Sequence, residues 1–472
     1  MEENLQDTQP ELTPDEADAS LFYTEDGHVV GELVSHVGEL IEDSNGDALA
    51  ELIEPLHESE LGDLLEALPP QYRSGLIRLT GDRFDFSSLT EIDEAMRLEI
   101  VNELPNEQIA DVVAELESDD AVYILEDMEE SDRDEILSMV PFEEQTRLRR
   151  SLEYPEETAG RRMQTEFIAV PPFWSVGQTI DFLREDDDLP ERFHEVFVVD
   201  PSYKLMGHVA LDRILRTQRK TKIASIQEKS VHPVDANLDQ EEAARILEQY
   251  DLVSAAVVDE HQRLVGVLTI DDVVDVIQQE ADEDIKRLAG VGDEELSDNV
   301  LSITRSRFTW LFLNLITAIL ASLVIGLFDA TIQQMVALAI LMPIVASMGG
   351  NAGTQSMTVT VRALATRDIG TYNMFRTIRR EFLVGLLNGC SFAILIGVVS
   401  AIWFSNTNLG VIIGIAMIIN MLCAALSGIL IPIALDRMKV DPAIASSVFV
   451  TTVTDVVGFF AFLGLAAWWF GI

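Results

Sequence analysis

The chain has 472 residues, with 32 Lys+Arg against 81 Asp+Glu and a formal net charge of −49. That length allows two to four domains. The acidity excludes nucleic acid as a partner, because phosphates need a basic footprint.

The average hides two unlike halves. Nine of the basic and six of the acidic residues fall in 301–472, which leaves 23 and 75 before it, a net of −52. A folded domain that acidic repels itself unless cations screen it, so the charge favours metal-cation binding or a salty habitat. Cys390 and Cys423 are the only cysteines, both inside apolar segments, and they draw neither a disulfide framework nor a zinc site. The acidic, polar N-terminus carries no signal peptide, so the first half is expected in the cytoplasm.

Residues 1–30 are polar and expected to be a disordered tail. From 31 to 155 short amphipathic units recur, each apolar at helical spacing and closed by proline: Leu61 to Pro69, Ile100 to Pro105, Ile136 to Pro141. This pattern predicts an acidic α-solenoid. An internal repeat follows. Val198-Val199-Asp200 with Gly207 matches Val257-Val258-Asp259 with Gly266 at a constant offset of 59. Each copy reads strand, turn, glycine, strand, helix. The α/β pair, at 156–221 and 222–278, resembles cystathionine-β-synthase (CBS) repeats, which pair into one regulatory unit and often bind adenine nucleotides. That resemblance implies that Thr269 and Asp272 hold ribose and phosphate, with ATP as the cofactor. The first copy has Ala210 and Arg213 in their places. From 276 a helical pattern runs to 307, acid then base, and 279–307 is assigned as a connecting helix.

Five apolar segments, roughly 308–328, 334–360, 381–404, 410–435 and 444–470, meet the ~20 residues needed to span a bilayer, so 308–472 is expected to be an all-α membrane bundle. All nine Lys/Arg precede the first segment or lie in the loops after the second and fourth. Positive-inside bias then puts the N-terminus inside and the C-terminus outside.

Two features break the apolar pattern. Gly349-Gly350-Asn351-Ala352-Gly353-Thr354-Gln355-Ser356 lies in the inner half of segment two. Glycines there serve helix packing or leave carbonyls accessible, while amides in hydrocarbon need partners or water. Asp455 lies in segment five, where a carboxylate costs about 2.5–3.5 kcal/mol and usually faces a polar cavity. Gly350 and Asp455 each sit about ten residues from the inner end of their segment, so both lie ~15 Å deep at 1.5 Å per residue. The expected cation site combines Asp455 with the Gly349 to Gln355 stretch and with hydroxyls of Thr451, Thr452 and Thr454. One carboxylate, doubled by a two-fold axis, suits a divalent ion that keeps its waters, as magnesium does. Manganese, cobalt and monovalent ions stay open, as do channel and ion-coupled carrier.

Solenoid, paired CBS repeats, connecting helix and five membrane segments together resemble the MgtE family of magnesium channels, over residues 40–472. The matching motifs are Gly349 to Ser356 with Arg362 to Asp368, Asp441-Pro442, Thr454 to Gly458, Glu156 to Gly160 and Glu283-Asp284-Ile285. The resemblance implies a magnesium-gated homodimer in a bacterial or archaeal plasma membrane. Asp455 would bind hydrated Mg2+ in the pore and Asp441 would sit at its cytoplasmic end. Asp119, Asp239, Glu241, Asp251, Asp272, Asp275, Glu280, Glu283 and Asp284 would bind regulatory Mg2+ between acidic faces. Two positions depart from the family pattern: Tyr123 replaces an expected acid, and Arg161-Arg162 a glycine-containing pair. A membrane-anchored sensor without conduction, or a Mn2+/Co2+ carrier, is the alternative. No nucleophile–base pairing, His cluster or phosphate loop supports an enzyme.

Overall fold

The computed structural model describes residues 22–471 except 25, 187–188, 191, 292–299 and 368–372. The chain divides into two compact units, one up to Gln279 and one from Glu280 onward. The tail expected over 1–30 lies outside the described residues up to 21. In the part of that span that is described, Tyr23 bridges Val29, the Tyr23 hydroxyl donates to Asp63 at 2.7 Å, and Phe22 joins the buried core.

Nine helices build the acidic domain of the first unit: α1 (Gly31–Glu42), α2 (Gly46–Ile53), α3 (Glu58–Ala67), α4 (Pro70–Thr80), α5 (Glu94–Glu103), α6 (Asn106–Glu115), α7 (Ser118–Glu126), α8 (Glu130–Met139) and α9 (Phe142–Leu152). Proline sets their ends. Leu68, Leu104 and Val140 are extended before Pro69, Pro105 and Pro141, which each open the next helix. A pre-proline residue is driven out of the helical region. The apolar stripes, among them Leu61, Leu64, Leu65, Leu76, Ile100, Ile124 and Leu125, meet in one core.

The repeats form two three-stranded sheets. The first joins α10 (Ala159–Arg162), β1 (Ala169–Val170), α11 (Val176–Glu185), β2 (Glu195–Val199), β3 (Leu205–Ala210), α12 (Leu211–Arg216) and α13 (Ile223–Ile226). The second continues with β4 (Val234–Asp235), α14 (Gln240–Gln249), β5 (Ser254–Val258), β6 (Leu264–Thr269) and α15 (Ile270–Ala289). Gly207 pairs with Val198 and Gly266 with Val257 in the antiparallel ladders, so the offset of 59 survives in three dimensions. Side chains cross the expected 221/222 boundary. Ile223 and Ile226 pack in the core of the first sheet, and Glu228 pairs with His208. Ala159 and Met163, ahead of the first repeat, pack in the core of the second. The repeats therefore exchange their entry segments.

The helix predicted over 276–307 is not continuous. It runs from 270 to Ala289 and stops at Gly290, which takes φ +73°. The N–H groups of Gly290 and Val291 donate to the carbonyls of Arg287 and Lys286, both at 3.0 Å. Only glycine adopts that conformation cheaply.

The second unit holds the C-terminal end of α15 with α16 (Val300–Gly326), α17 (Asp329–Gln334), α18 (Ala337–Ala365), α19 (Met374–Trp403), α20 (Thr407–Arg437) and α21 (Pro442–Phe470). All but α15 and the short α17 are long and apolar enough to cross a membrane. Helix α20 is the hub, packed by α18, α19 and α21. Helix α16 packs chiefly on α21 and presents Phe308, Leu311, Leu315, Ile319 and Leu323 outward.

A seam of small residues closes α18, α20 and α21. A Cβ on Gly353 would lie 2.5 Å from Val450 Cγ1 and 3.5 Å from Thr454 Cγ2. One on Gly428 would lie 2.7 Å from the Gly353 carbonyl oxygen. Small residues four apart let membrane helices approach this closely, where dispersion rather than water drives association. Gly428→Leu is expected to cost at least ~1–3 kcal/mol by overpacking. Gly350→Ala, whose Cβ meets nothing within 4 Å, is expected to be neutral. Thermal denaturation of the detergent-purified protein checks the pair.

Candidate functional site

The seam fixes where the membrane carboxylate points. Gly349 on α18 and Gly458 on α21 both abut Asn420, and one turn on Gly353 meets Val450 and Thr454, so numbers fall along α21 as they rise along α18 and the two helices run antiparallel. One residue further along a helix turns by about 100°. From the facing pair Gly353 and Thr454, the step to Thr354 and the step to Asp455 turn to the same side, because the helices run oppositely. Gly350 and Thr354 on α18, with Thr451 and Asp455 on α21, therefore share one open flank. Thr354 and Thr451 are exposed there and Asp455 is half-buried, while Asn351, exposed as well, turns about 200° from the seam. Among the described residues no three His, Cys, Asp or Glu gather to hold a metal, so Asp455 brings a single fixed charge with hydroxyl and amide oxygens.

Part of the expected lining is corrected. Gly349, Gly353 and Thr454 are buried in the seam, and the Thr454 hydroxyl donates to the Thr451 carbonyl at 2.9 Å. Gln355 turns about 200° from the seam, away from Asp455. Helix α18 is unbroken through the glycines, so no row of free carbonyls opens there. These glycines are needed for close approach, and polar flanking residues had made that packing look like a lining.

A second constellation lies in the first unit. Asp119 and Asp120 occupy the first turn of α7, and Asp271 and Asp272 the first turn of α15. Helix N-termini tolerate negative charge, yet the crowding is severe. Desolvation and the Asp272 carboxylate raise Asp119 well above the usual range. Desolvation and the same neighbour push Asp120 up to about 7, and desolvation chiefly pushes Asp272 up to about 6. The Thr269 hydroxyl bonds the Asp272 carboxylate. Asp119 Oδ1 is shut from solvent with no hydrogen-bond partner. Partial desolvation and Asp275 raise Glu91, which lies with Glu58 on the same acidic patch. Carboxylates so placed favour a bound proton, or another positive charge that relieves their repulsion.

A metal-free joint stands beside this cluster. The guanidinium groups of Arg97 and Arg162 lie 4.2 and 5.0 Å from the Tyr123 ring centre. Arg97 pairs with Asp127 at 2.6 Å, and Arg162 with Glu126 at 3.1 Å. Gln279 donates to the Tyr123 hydroxyl at 3.2 Å. The two departures from the expected pattern, Tyr123 and Arg161-Arg162, thus meet in one contact.

The third constellation joins α15 to α21. Arg287 pairs with Glu283 one turn back and with Asp441 at 2.8 Å. Asp441 also caps α21, accepting from the Ala443 N–H at 2.7 Å. Desolvation and Asp441 raise Asp284, which Arg362 partly offsets. Leu288 packs against a buried cluster of Met357, Val361, Ala443 and Val450. Asp441, expected at the cytoplasmic end of the pore, is engaged by an arginine and by its own helix end.

The remaining expected ligands sit on several elements. Asp239 caps α14 through the Glu241 and Glu242 N–H groups. Glu241 is exposed, Asp251 takes φ +52°, and Glu280 is half-buried in α15. Arg213 of the first repeat pairs with Glu228 at 2.7 Å. Sequence reasoning missed Asp120, Glu58, Glu91, Asp271, Arg287 and Asn420. The first five were hidden in general acidity or in an i,i+4 ion pair, and Asn420 in an apolar run.

The raised carboxylates give a signed pH prediction. A carboxyl raised in the fold stabilises it at low pH, and that contribution is lost as pH rises through the folded value. In divalent-free buffer, protease protection around α7 and the start of α15 is expected to fall between pH 5 and about 7.5. Mg2+ should restore it at pH 7.5 and add little at pH 5. Asp120→Asn with Asp272→Asn should flatten both responses.

Three family profiles match the chain: "Divalent cation transporter" (MgtE) over residues 342–465, "MgtE intracellular N domain" over 56–157, and "CBS domain" over 223–279. The magnesium transporter MgtE of Bacillus subtilis is 33% identical over 316 residues, 67% of this chain and 70% of that protein. The magnesium transporter MgtE of Enterococcus faecalis is 35% identical over the same shares. A solved cytosolic domain of the Mg2+ channel MgtE in complex with ATP is 26% identical, covers 52% of this chain and 99% of that one, and has a TM-score of 0.43. With five candidate membrane helices and this likeness over two thirds of both sequences, the chain is a multi-pass membrane protein and belongs to the MgtE family.

Proposed function

We propose that this protein is a magnesium channel that carries hydrated Mg2+ past Asp455 and is closed by Mg2+ bound to its acidic clusters. The observation that carries the reading is the flank shared by Asp455, Thr354 and Thr451. A carboxylate half-exposed on the outside of an apolar bundle has no reason to bear its insertion cost unless a polar passage meets it. A second copy covering that flank would double the charge and enclose the passage, which supports a homodimer. A hydrated divalent ion needs little more than one or two carboxylates. The names of the relatives, all magnesium transporters, support the choice of ion.

The regulatory part rests on the cluster at Asp119, Asp120 and Asp272. Mg2+ there favours the state that holds those carboxylates together, and a ligand shifts an equilibrium only through such a difference. Helix α15 carries Asp272 and Asp275 near its start and Arg287 near its end. The proposed closed state keeps Arg287 on Asp441. The same reading gives the CBS pair ATP as a second ligand, supported by the Thr269 hydroxyl and Asp272 carboxylate lying together. It places the positively flanked loops and the N-terminus in the cytoplasm, following the charge bias. A sensor without conduction has no use for Asp455 and its polar flank.

Mg2+ uptake into liposomes tests the passage. Asp455→Asn is expected to lower flux at least tenfold, and equal flux in both proteins refutes the channel. Competition by Mn2+ and Co2+ in the same vesicles tests selectivity. For gating, Asp275→Ala and Arg287→Ala are each expected to leave flux open at millimolar Mg2+ on the regulatory side. Wild-type closure in both variants would remove α15 from the mechanism.

A further inference from the structure

Asn420 stands near the middle of α20, fully buried among apolar neighbours. Its Nδ2 donates to the Val345 carbonyl of α18 at 2.8 Å. Its Oδ1 is sealed from solvent with no hydrogen-bond partner. The flat amide lies in a slot between two glycines. A Cβ on Gly349 would sit 2.2 Å from Nδ2 and 3.1 Å from Oδ1. A Cβ on Gly458 would sit 2.8 Å from Nδ2 and 3.1 Å from Oδ1. Gly349 opens the polar stretch of α18, and Gly458 follows Asp455 by three residues, nearly one turn.

Neither burial nor hydrogen bonding explains this choice. An acceptor buried without a donor works against the fold, and native proteins carry few such groups. Local features that oppose stability concentrate at functional sites. What the amide does supply is a rigid, planar spacer one residue thick, anchored to α18 on one side and pressed on α21 on the other. Its position along the seam is about one turn from the Gly353–Thr454 contact, the level from which Thr354 and Asp455 turn to their common flank.

We propose that Asn420 is a positioning residue for cation passage: it sets the separation of α18 and α21 that holds Asp455 and Thr354 at one level on one side. The proposal rests on the channel reading, and it makes Asn420 a determinant of ion selectivity, since a hydrated ion is discriminated by the distance between fixed oxygens.

The test is flux of Mg2+ and Mn2+ into liposomes carrying the full-length protein, with thermal denaturation of each variant. Asn420→Ala removes the spacer, Gly349→Ala pushes a methyl against it, and the double variant lets the methyl take the amide's place. Each single variant is expected to lose at least fivefold in Mg2+ flux and to change the Mg2+:Mn2+ ratio at least threefold. The double variant should recover most of both. Flux that falls only in step with lost protein stability, with an unchanged ratio, overturns the proposal, as does a double variant worse than either single. If Asn420→Ala does not fold, Gly349→Ala alone carries the same expectation. Asp455→Asn is run beside them. An inactive Asp455→Asn with unaffected Asn420 and Gly349 variants sinks the spacer alone, whereas an Asp455→Asn as active as wild type sinks the channel reading and the spacer with it.

Discussion

The membrane unit depends on one steric condition: three helices meet where the glycines leave no room for a side chain of their own. Gly353 faces Val450 and Thr454, and Gly428 faces the Gly353 carbonyl. In lipid there is no hydrophobic penalty for separating helices, so contact distance decides whether they associate. The same condition fixes rotation. Once Gly353 and Thr454 face the seam, the residue after each must turn away from it by a set angle, and that is how Thr354 and Asp455 come to one side. Packing and site are therefore one arrangement, and a change to the seam reaches the site through helix rotation rather than through any direct contact.

Charge is handled differently in the two units. The membrane unit isolates one carboxylate among apolar residues. The first unit crowds carboxylates at two helix starts until their affinity for protons rises, Asp120 to about 7 and Asp272 to about 6. A single half-buried acid keeps its full charge at the cost of its hydration, whereas a crowded set takes up positive charge because its own repulsion is relieved. Between them, Arg287 shows a third solution, in which a fixed cation on α15 satisfies Glu283 and Asp441.

Much of this was legible in the sequence, and the misses have physical causes. The five membrane segments followed from length and apolarity, and the paired repeat from a constant offset that the strand registers reproduce. The prolines after Leu68, Leu104 and Val140 marked helix ends because they act locally. What failed was assignment of side. Gly349 and Gly353 were read with Asn351 and Thr354 as one lining, although residues so spaced lie on different faces. The helix from 276 was carried through Gly290 because acidic and basic residues beyond it kept a helical rhythm, and a left-handed glycine leaves no trace in that rhythm. The exchange of entry segments between the repeats was invisible because it depends on which core receives Ala159 and Ile223.

The stack of Arg97 and Arg162 on Tyr123 has a consequence for how the first unit behaves when stripped of divalent ions. Aromatic faces and guanidinium planes hold by quadrupole and dispersion forces as well as charge. Chelators have nothing to extract from such a clasp. The contact between the acidic helices and the segment that enters the second repeat therefore owes part of its strength to forces that neither chelation nor screening removes.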